Sequence, residues 1–314
     1  MTDALAVIFP GAYTTIQDLG RFDYQHMGVP ISGALDAFAH RIANWLVGNP
    51  ETAATLEMTI GGSTLRVLRE CDIAVTGASM GLAVNDVEQP EWTSIRVRPD
   101  DIVRIGLAQS GCRAYLSITG GVDVPKVMGS RATFVGAKLG GLEGRRLQAG
   151  DILKSGAGSP LPVPRRLPWA PLYSDEISLR AIPGPYADYF GNSIESFFST
   201  TFTVGAQSNR MGYRLEGASV QRDTEAPGSI ISEPTVPGNV QIPPGGEPIV
   251  LMNEQTIGGY ASIATVISAD LFKLAQATPG SRVRFVSVTL NEAHRFLRLW
   301  NDYLNDIRNR LFEP

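Results

Sequence analysis

The sequence predicts a mainly β protein with a few helices (α+β), built as two β-barrel-like units. Three observations carry that expectation. Across residues 55–118, turn signals interrupt short apolar segments at intervals of about eight to twelve residues, as in an all-β domain. A tight turn followed by alternating apolar and polar residues recurs at 99–104, 149–154 and 279–284, and the last two each close one half of the chain. Between the halves, residues 155–171 carry five prolines and read as an extended, semi-rigid boundary. The expected domains are residues 1–160 and residues 161–314, the second with a terminal helix.

From residue 10 to residue 49, turn formers are dense: Gly11, Gly20, Gly28 and Gly33 alternate with Pro10 and Pro30. Among them stand Gln17, Asp18, Arg21, His26, Ser32 and Asp36. Such a set of donors, acceptors and both charge signs suits a site carried on a rigid scaffold. The same set also suits a solvated loop that caps its own turns, and spacing alone favours that reading. Leu35, Phe38, Ala39, Ile42, Ala43 and Leu46 then recur at helical steps. Asp36 or Ser32 can cap this helix, Gly48-Asn49-Pro50 stops it, and His40 and Asn44 fall off its most apolar stripe.

Segments 55–60 and 63–68 flank Gly61-Gly62, a short hairpin signal, and strands are expected at 73–75, 82–84, 95–97, 102–105 and 115–118. The glycine-dense stretch 120–150 predicts a long, tightly turned connection. The second half predicts strands at 177–182, 201–204, 230–232, 240–242, 249–252 and 263–267, with helices near 186–198 and 269–276. Thr289-Leu290-Asn291-Glu292 is a capping box. It opens a final helix whose apolar stripe runs from Ala293 through Phe296, Trp300 and Ile307 to Leu311.

Composition narrows the function classes. The 314 residues are 43% hydrophobic and 18% charged, a globular composition, and the net charge of −4 argues against nucleic acid as partner. Lysine occurs only at 126, 138, 154 and 273, so nearly all positive charge is arginine, which suits fixed contacts to carboxylate or phosphate. Cys71 and Cys112 sit in strand-like surroundings as expected buried thiols of a reducing compartment. No signal peptide and no apolar run of membrane-spanning length is evident, so a cytoplasmic chain without a membrane partner is expected.

Chemical motifs are few. Gly77-Ala78-Ser79-Met80-Gly81 matches G-x-S-x-G, but strand-like residues follow where a nucleophile elbow needs a helix, so a β-hairpin turn is expected. Three scattered histidines and two cysteines give no metal-ligand spacing, and no P-loop or dinucleotide fingerprint occurs. A methionine-lysine-methionine segment is also lacking, so the chain does not read as its own biotin carrier. Arg210 and Arg214 bracket Gly212 as a plausible anion grip, although spacing alone favours surface arginines. Gln255, Thr256 and Tyr260 surround Gly258-Gly259, where a backbone could approach a ligand or simply form a bulged hairpin.

Taken together, several segments resemble the KipA family. They include Thr15-Ile16-Gln17-Asp18-Leu19-Gly20-Arg21, Gly28-Val29-Pro30-Ile31-Ser32-Gly33-Ala34-Leu35-Asp36 and Ala43-Asn44-Trp45-Leu46-Val47-Gly48-Asn49-Pro50. Further on, Leu139-Gly140-Gly141-Leu142-Glu143-Gly144-Arg145, Asn209-Arg210-Met211-Gly212-Tyr213-Arg214-Leu215 and Gly258-Gly259-Tyr260 extend the likeness. That family is also called allophanate hydrolase subunit 2, or the C subunit of bacterial 5-oxoprolinase (PxpC), and is related to the carboxyltransferase region of urea carboxylase. In one departure, the acid nearest the glycine pair is Glu254, in a segment that reads one residue shorter than the family pattern.

The resemblance implies two cyclophilin-like β-barrel domains and a complex with a KipI/PxpB-like subunit and a lactam-utilisation (PxpA-like) subunit. The implied activity is ATP-dependent opening of 5-oxoproline, a small-molecule amide, to glutamate, with ATP and magnesium used by the complex. The alternatives are a biotin-dependent carboxyltransferase component, its biotin carried by another protein, and a non-catalytic KipA-type antagonist of a KipI-like kinase inhibitor. The candidate catalytic residues are Gln17, Asp18, Arg21, Asp36 and Glu57, with Glu57 or Asp36 as proton acceptor. The candidate substrate-binding residues are His26, Ser32, Asn44, Arg210, Arg214, Gln241, Gln255, Thr256 and Tyr260. No metal ligands are assigned.

Overall fold

Short strands separated by tight turns build two units in the computed structural model, which describes residues 2–312. Unit 1 takes the chain up to Phe22, Ser32–Tyr173 and the residues from Asp306 onward; unit 2 takes Asp23–Ile31 and Ser174–Asn305.

In unit 1 the chain runs through β1 (Thr2–Phe9), β2 (Tyr13–Gln17), α1 (Ala37–Leu46), β3 (Thr55–Thr59), β4 (Thr64–Val67) and β5 (Cys71–Ser79). It continues through β6 (Leu82–Val84), β7 (Val87–Gln89), β8 (Ile95–Val97), β9 (Ile102–Ile105), β10 (Ser110–Ile118) and β11 (Ile152–Ser155). One sheet has the order β11-β1-β4-β9-β6-β7 and the other β2-β3-β10-β5-β8. Leu5, Leu65, Val67 and Val103 of the first sheet share a buried core with Leu56, Ile73, Val75 and Leu116 of the second. Helix α1 lies against β5 and β10. Asp36 caps it by accepting from the Ala39 amide at 2.9 Å.

Two expected hairpins are absent. β3 and β4, joined by Gly61-Gly62, lie in different sheets, and so do β5 and β6 on either side of Met80-Gly81. Each turn carries the chain from one sheet to the other, because both flanking segments bury their apolar residues in the shared core. The proline-rich stretch is likewise not a free spacer. Ser94 and Arg165 exchange bonds (Ser94 N–H to Arg165 O 2.8 Å, Arg165 N–H to Ser94 Oγ 2.6 Å), and the Leu167 amide donates to Trp92 O at 3.0 Å. Prolines hold these residues extended, so their remaining amides pair with unit 1 as an added edge.

Unit 2 runs through β12 (Glu176–Pro183), α2 (Ser193–Ser199), β13 (Thr201–Val204), β14 (Gly212–Glu216), β15 (Glu233–Pro234) and β16 (Asn239–Gln241). β17 (Ile249–Leu251), β18 (Ile257–Gly258), β19 (Ser262–Val266), α3 (Leu271–Ala275) and β20 (Arg282–Ser287) follow, and then α4 (Leu290–Phe312), whose residues from Asp306 onward count with unit 1. Seven strands close a barrel in the order β12-β19-β16-β17-β14-β13-β20, while β15 and β18 pair separately as a two-stranded ribbon. Closure leaves no unpaired edge, which two open sheets do not achieve. The mainly β, barrel-containing fold thus agrees with expectation, and among the described residues hydrogen bonding closes the barrel in unit 2, whereas unit 1 is a pair of sheets.

Phe197, Phe202 and Phe285 fill the base of the barrel core, with the Phe197 and Phe285 rings stacked at 4.5 Å. The expected helix at 186–198 is divided into a 3-10 turn, Ala187–Phe190, and α2. The expected strand at 230–232 is irregular: the Ile230 amide donates to Gly259 O at 3.0 Å, but the regular ladder begins only at Glu233. The capping box of α4 forms as read: Glu292 Oε2 accepts from the Thr289 amide at 2.8 Å, and the Glu292 amide donates back to Thr289 Oγ1 at 3.3 Å. Truncation of Phe285 to alanine removes the ring that touches both other phenylalanines. It is expected to destabilise the protein by about 3–5 kcal/mol, measured by urea unfolding.

Candidate functional site

The early loop of unit 1 is held by its own polar side chains. Asp18 Oδ1 accepts from the Gly20 amide (2.9 Å) and Ser130 Oγ (2.7 Å), and Oδ2 from the Arg131 amide (2.6 Å). Arg21 donates through Nε to Val127 O (3.0 Å) and through Nη2 to Ala132 O (2.8 Å). Gln17 Nε2 donates to Thr133 O (3.1 Å) and Thr15 Oγ1 (2.9 Å). These three residues therefore clasp the glycine-dense connection. Gly140 makes the clasp possible: at φ +67°, an added Cβ would lie 2.1 Å from Ala132 O and 2.7 Å from Arg21 Nη2. Two buried atoms of the clasp, Gln17 Oε1 and Arg21 Nη1, have no hydrogen-bond partner.

Beside it, Glu57 on β3 accepts through Oε2 from the Leu35 amide (3.0 Å) and from Tyr115 Oη (2.8 Å). The Tyr115 oxygen in turn accepts from the Asp36 amide at 2.8 Å, and Arg113 lies 3.9 Å from Glu57 Oε1. Burial, with the charges of Glu57 and Asp36, pushes the Tyr115 phenol well above its ordinary range, so it remains a donor. Asp36 Oδ2 accepts from Tyr173 Oη at 3.2 Å. Ser32 is buried in the same loop at φ +54°.

His40 and Asn44, off the most apolar stripe of α1, are nevertheless fully buried. His40 Nε2 lies 3.0 Å from Glu51 O and therefore carries the proton, leaving Nδ1 to accept from Thr55 Oγ1 at 2.9 Å. Asn44 donates to Ala53 O (2.9 Å) and accepts from Ser117 Oγ (2.7 Å). The turn at Ser79 has no elbow geometry either, since the Met80 and Gly81 amides donate to Glu91 Oε1 at 2.8 and 3.0 Å.

The remaining candidates belong to unit 2. The anion grip does not form: Arg210 is buried with its Nε 2.5 Å from Glu254 Oε1, while Arg214 is exposed. Strand alternation explains the split, because Tyr213 and Leu215 on β14 face the barrel core and Arg214 faces outward. Glu254, the acid in the shortened segment, is thus the counterion of Arg210. His26 is exposed on a 3-10 turn, Gln25–Met27. Gln255 Nε2 donates to Ile257 O at 2.5 Å, and Tyr260 is partly exposed.

Gln241 on β16 is buried and its Nε2 has no partner, and the same holds for Thr235 Oγ1 at the end of β15. Gln25, absent from the candidate residues, reaches both strands of the ribbon's end. Its Nε2 donates to Thr235 O (2.6 Å) and Thr256 O (2.8 Å). Nothing in the local sequence announces Gln25 or Thr235, whose partners are more than 200 and about 20 residues away. The signal that could have pointed to Tyr115 was a phenol set between Ala114 and Leu116 on β10.

Among the described residues no three acidic, histidine or cysteine side chains gather to hold a metal ion. No described helix is long and apolar enough to cross a membrane. A cleft of about 310 Å³ beside Asn49 and Lys126 in unit 1, and one of about 340 Å³ beside Tyr13 and Arg146, are not lined by candidate residues.

The protein is thus mainly β in two units, with polar side chains fixed in the interior of each. The family model described as carboxyltransferase domain, subdomain A and B, matches residues 27–287. The chain belongs to that family. It is similar to the 5-oxoprolinase C subunit of Escherichia coli (strain K12), at 40% identity over 311 residues that span 98% of each chain. It is also similar to urea amidolyase of Lachancea kluyveri, at 36% identity over 93% of this chain and 17% of that one. The crystal structure of Kluyveromyces lactis urea amidolyase superposes with a TM-score of 0.89 and 33% identity, covering 97% of this chain and 20% of the other. The chain therefore spans about a fifth of the length of the urea amidolyases it matches.

Burial, the main cause, lowers the pKa of His40 from 6.5 to about 4. The unfolded imidazole takes up a proton below about pH 6.5 and the folded one does not until about pH 4. Stability is therefore full above pH 6.5 and declines as pH falls toward 4, by about 3 kcal/mol in all. Urea unfolding at pH 7.5 and 4.5 is expected to show His40→Gln losing this part of the acid slope.

Proposed function

We propose that this chain is the C subunit of an ATP-dependent 5-oxoprolinase of the cytoplasm, which opens the 5-oxoproline lactam to glutamate. It acts with a KipI/PxpB-like subunit and a lactam-utilisation (PxpA-like) subunit. The observation that carries this reading is the likeness to the Escherichia coli 5-oxoprolinase component, 40% identical along 98% of both chains.

Opening a lactam requires a polarised carbonyl, a positioned nucleophile and stabilisation of the oxyanion as it develops. Gln17, Arg21 and Gln241 each keep a buried polar atom that a substrate or water can use. Asp18, Asp36 and Glu57 direct their oxygens to donors of the chain itself and act as positioning residues. Thr256 and Gln255 shape the ribbon segment beside Gln241, and Tyr260 offers a partly exposed phenol. ATP and magnesium are used at the level of the complex.

Reconstitution of the chain with its two partner subunits tests the reading. Glutamate should form from 5-oxoproline in step with ATP hydrolysis, and neither product should form when this chain is omitted. No turnover by the full complex overturns it. A second reading, carboxyl transfer to urea or a related amide, draws on the family description and on the likeness to urea amidolyase. It predicts turnover that requires a biotinylated carrier protein and stops on addition of avidin.

A further inference from the structure

Where the chain of unit 1 passes from β3 to β4, three large apolar side chains stand in solvent. Phe9, Ile60 and Leu107 are 57%, 50% and 73% exposed. Backbone contacts make them neighbours. Gly61 forms a β-bridge with Leu107, an added Cβ on Gly61 would lie 3.2 Å from Leu107 Cδ2, and the Ala108 amide donates to Ile60 O at 2.8 Å. Phe9 lies opposite Thr64 at the end of β1, and Pro10 O accepts from Ser63 Oγ at 2.9 Å. Single exposed apolar residues are ordinary, whereas a group of them marks a contact surface.

Ile60 is also held at φ +65°. In that left-handed region a β-branched side chain crowds its own backbone, and glycine or asparagine is the ordinary occupant. Among the described non-glycine residues with positive φ, Ile60 alone is β-branched. Burial does not account for it, since half of the side chain faces solvent. Nor do its main-chain bonds, which any residue could make: the Ile60 amide donates to Cys112 O at 2.8 Å, and Ile60 O accepts from Ala108. Strain of this kind is retained where a site needs the side chain.

A positive charge borders the group. Tyr13 pairs with Thr59, the residue before Ile60, and Arg146 Cζ stands 5.3 Å from the centre of the Tyr13 ring. Arg146 is exposed and makes no ion pair among the described residues, while Arg145 is engaged by Asp151 and Glu143. Both arginines line the cleft of about 340 Å³ together with Pro10, Ala12 and Gln148.

We propose that Phe9, Ile60 and Leu107 form a docking surface for a partner subunit, with Arg146 receiving a carboxylate of that partner at the edge. The partner's surface is an apolar socket bordered by an aspartate or glutamate. Side chains this exposed project and do not enclose, so they enter a pocket on another protein. Charge complementarity selects the partner: one unpaired arginine beside an apolar group calls for an acid beside an apolar socket. A second copy placed face to face would offer the same arginine where a carboxylate is required. The partner's identity rests on the 5-oxoprolinase reading, in which this chain acts with two other subunits.

The test measures association of the full-length chain with the KipI/PxpB-like and the PxpA-like subunit in turn, at low and high salt. Leu107→Asp and Phe9→Ser are each expected to weaken association with one of them by about tenfold or more. Arg146→Glu is expected to weaken it chiefly at low salt, because an edge charge is screened. Ile60→Asn separates strain from docking: association should weaken by about tenfold while the urea midpoint holds or rises, since asparagine accepts the left-handed conformation. Where Phe9→Ser does not fold, Leu107→Asp carries the comparison. Wild-type affinity of the folded variants for both subunits, in a complex that turns over 5-oxoproline, overturns the docking surface and leaves the 5-oxoprolinase reading standing. Loss of self-association in Leu107→Asp with partner affinity unchanged also overturns it, and assigns the surface to a second copy. If the complex does not turn over 5-oxoproline, but partner binding responds to Leu107→Asp and Arg146→Glu, the reading falls and the surface stands. A wild-type chain that binds neither subunit overturns both.

Discussion

Irregular backbone that is buried must still be hydrogen-bonded, and unit 1 is organised around that requirement. Between β10 and β11 more than thirty residues run without a strand, yet Ala132, Thr133 and Ser130 are buried. A sheet cannot serve their carbonyls, so side chains do. Arg21 takes those of Val127 and Ala132, Gln17 takes that of Thr133, and Asp18 accepts from Ser130 and the Arg131 amide. Arginine and glutamine suit this work because their planar, multi-donor heads bond two or more fixed acceptors at once.

The same requirement acts on the loop that precedes α1. The amides of Leu35 and Asp36 belong to no strand and are buried, and Glu57 with Tyr115 receives them. A phenol is suited to the middle position because it donates to the carboxylate while it accepts from the amide. The raised Tyr115 pKa follows from this arrangement, since ionisation would place a second negative charge beside Glu57 and remove the donor. The polar residues that stand out in the first fifty positions are thereby largely accounted for by what they hold in place.

What could be read from the sequence divides along sequence distance. Helices α1 and α4 were legible with their caps, because Asp36–Ala39 and Thr289–Glu292 are bonds made within one turn. The strands were legible as segments but not as partners. Gly61-Gly62 carries the local chemistry of a hairpin, yet β4 pairs with β1 and β9 and not with β3. Pairing there is decided by a core to which distant strands contribute. For the same reason the Arg210–Glu254 pair, 44 positions apart, could not be told from two surface arginines in one phrase. Gln25 was invisible, since a glutamine in a turn gives no sign of carbonyls more than 200 positions away.

Polar side chains in this protein therefore fall into those whose capacity is used by the chain and those with capacity left over. Gln17 Oε1 and Arg21 Nη1, an acceptor and a donor, belong to side chains whose other polar atoms hold the glycine-dense connection in place. Gln241 Nε2 and Thr235 Oγ1 instead lie against a ribbon of two-residue strands that side chains fasten from outside.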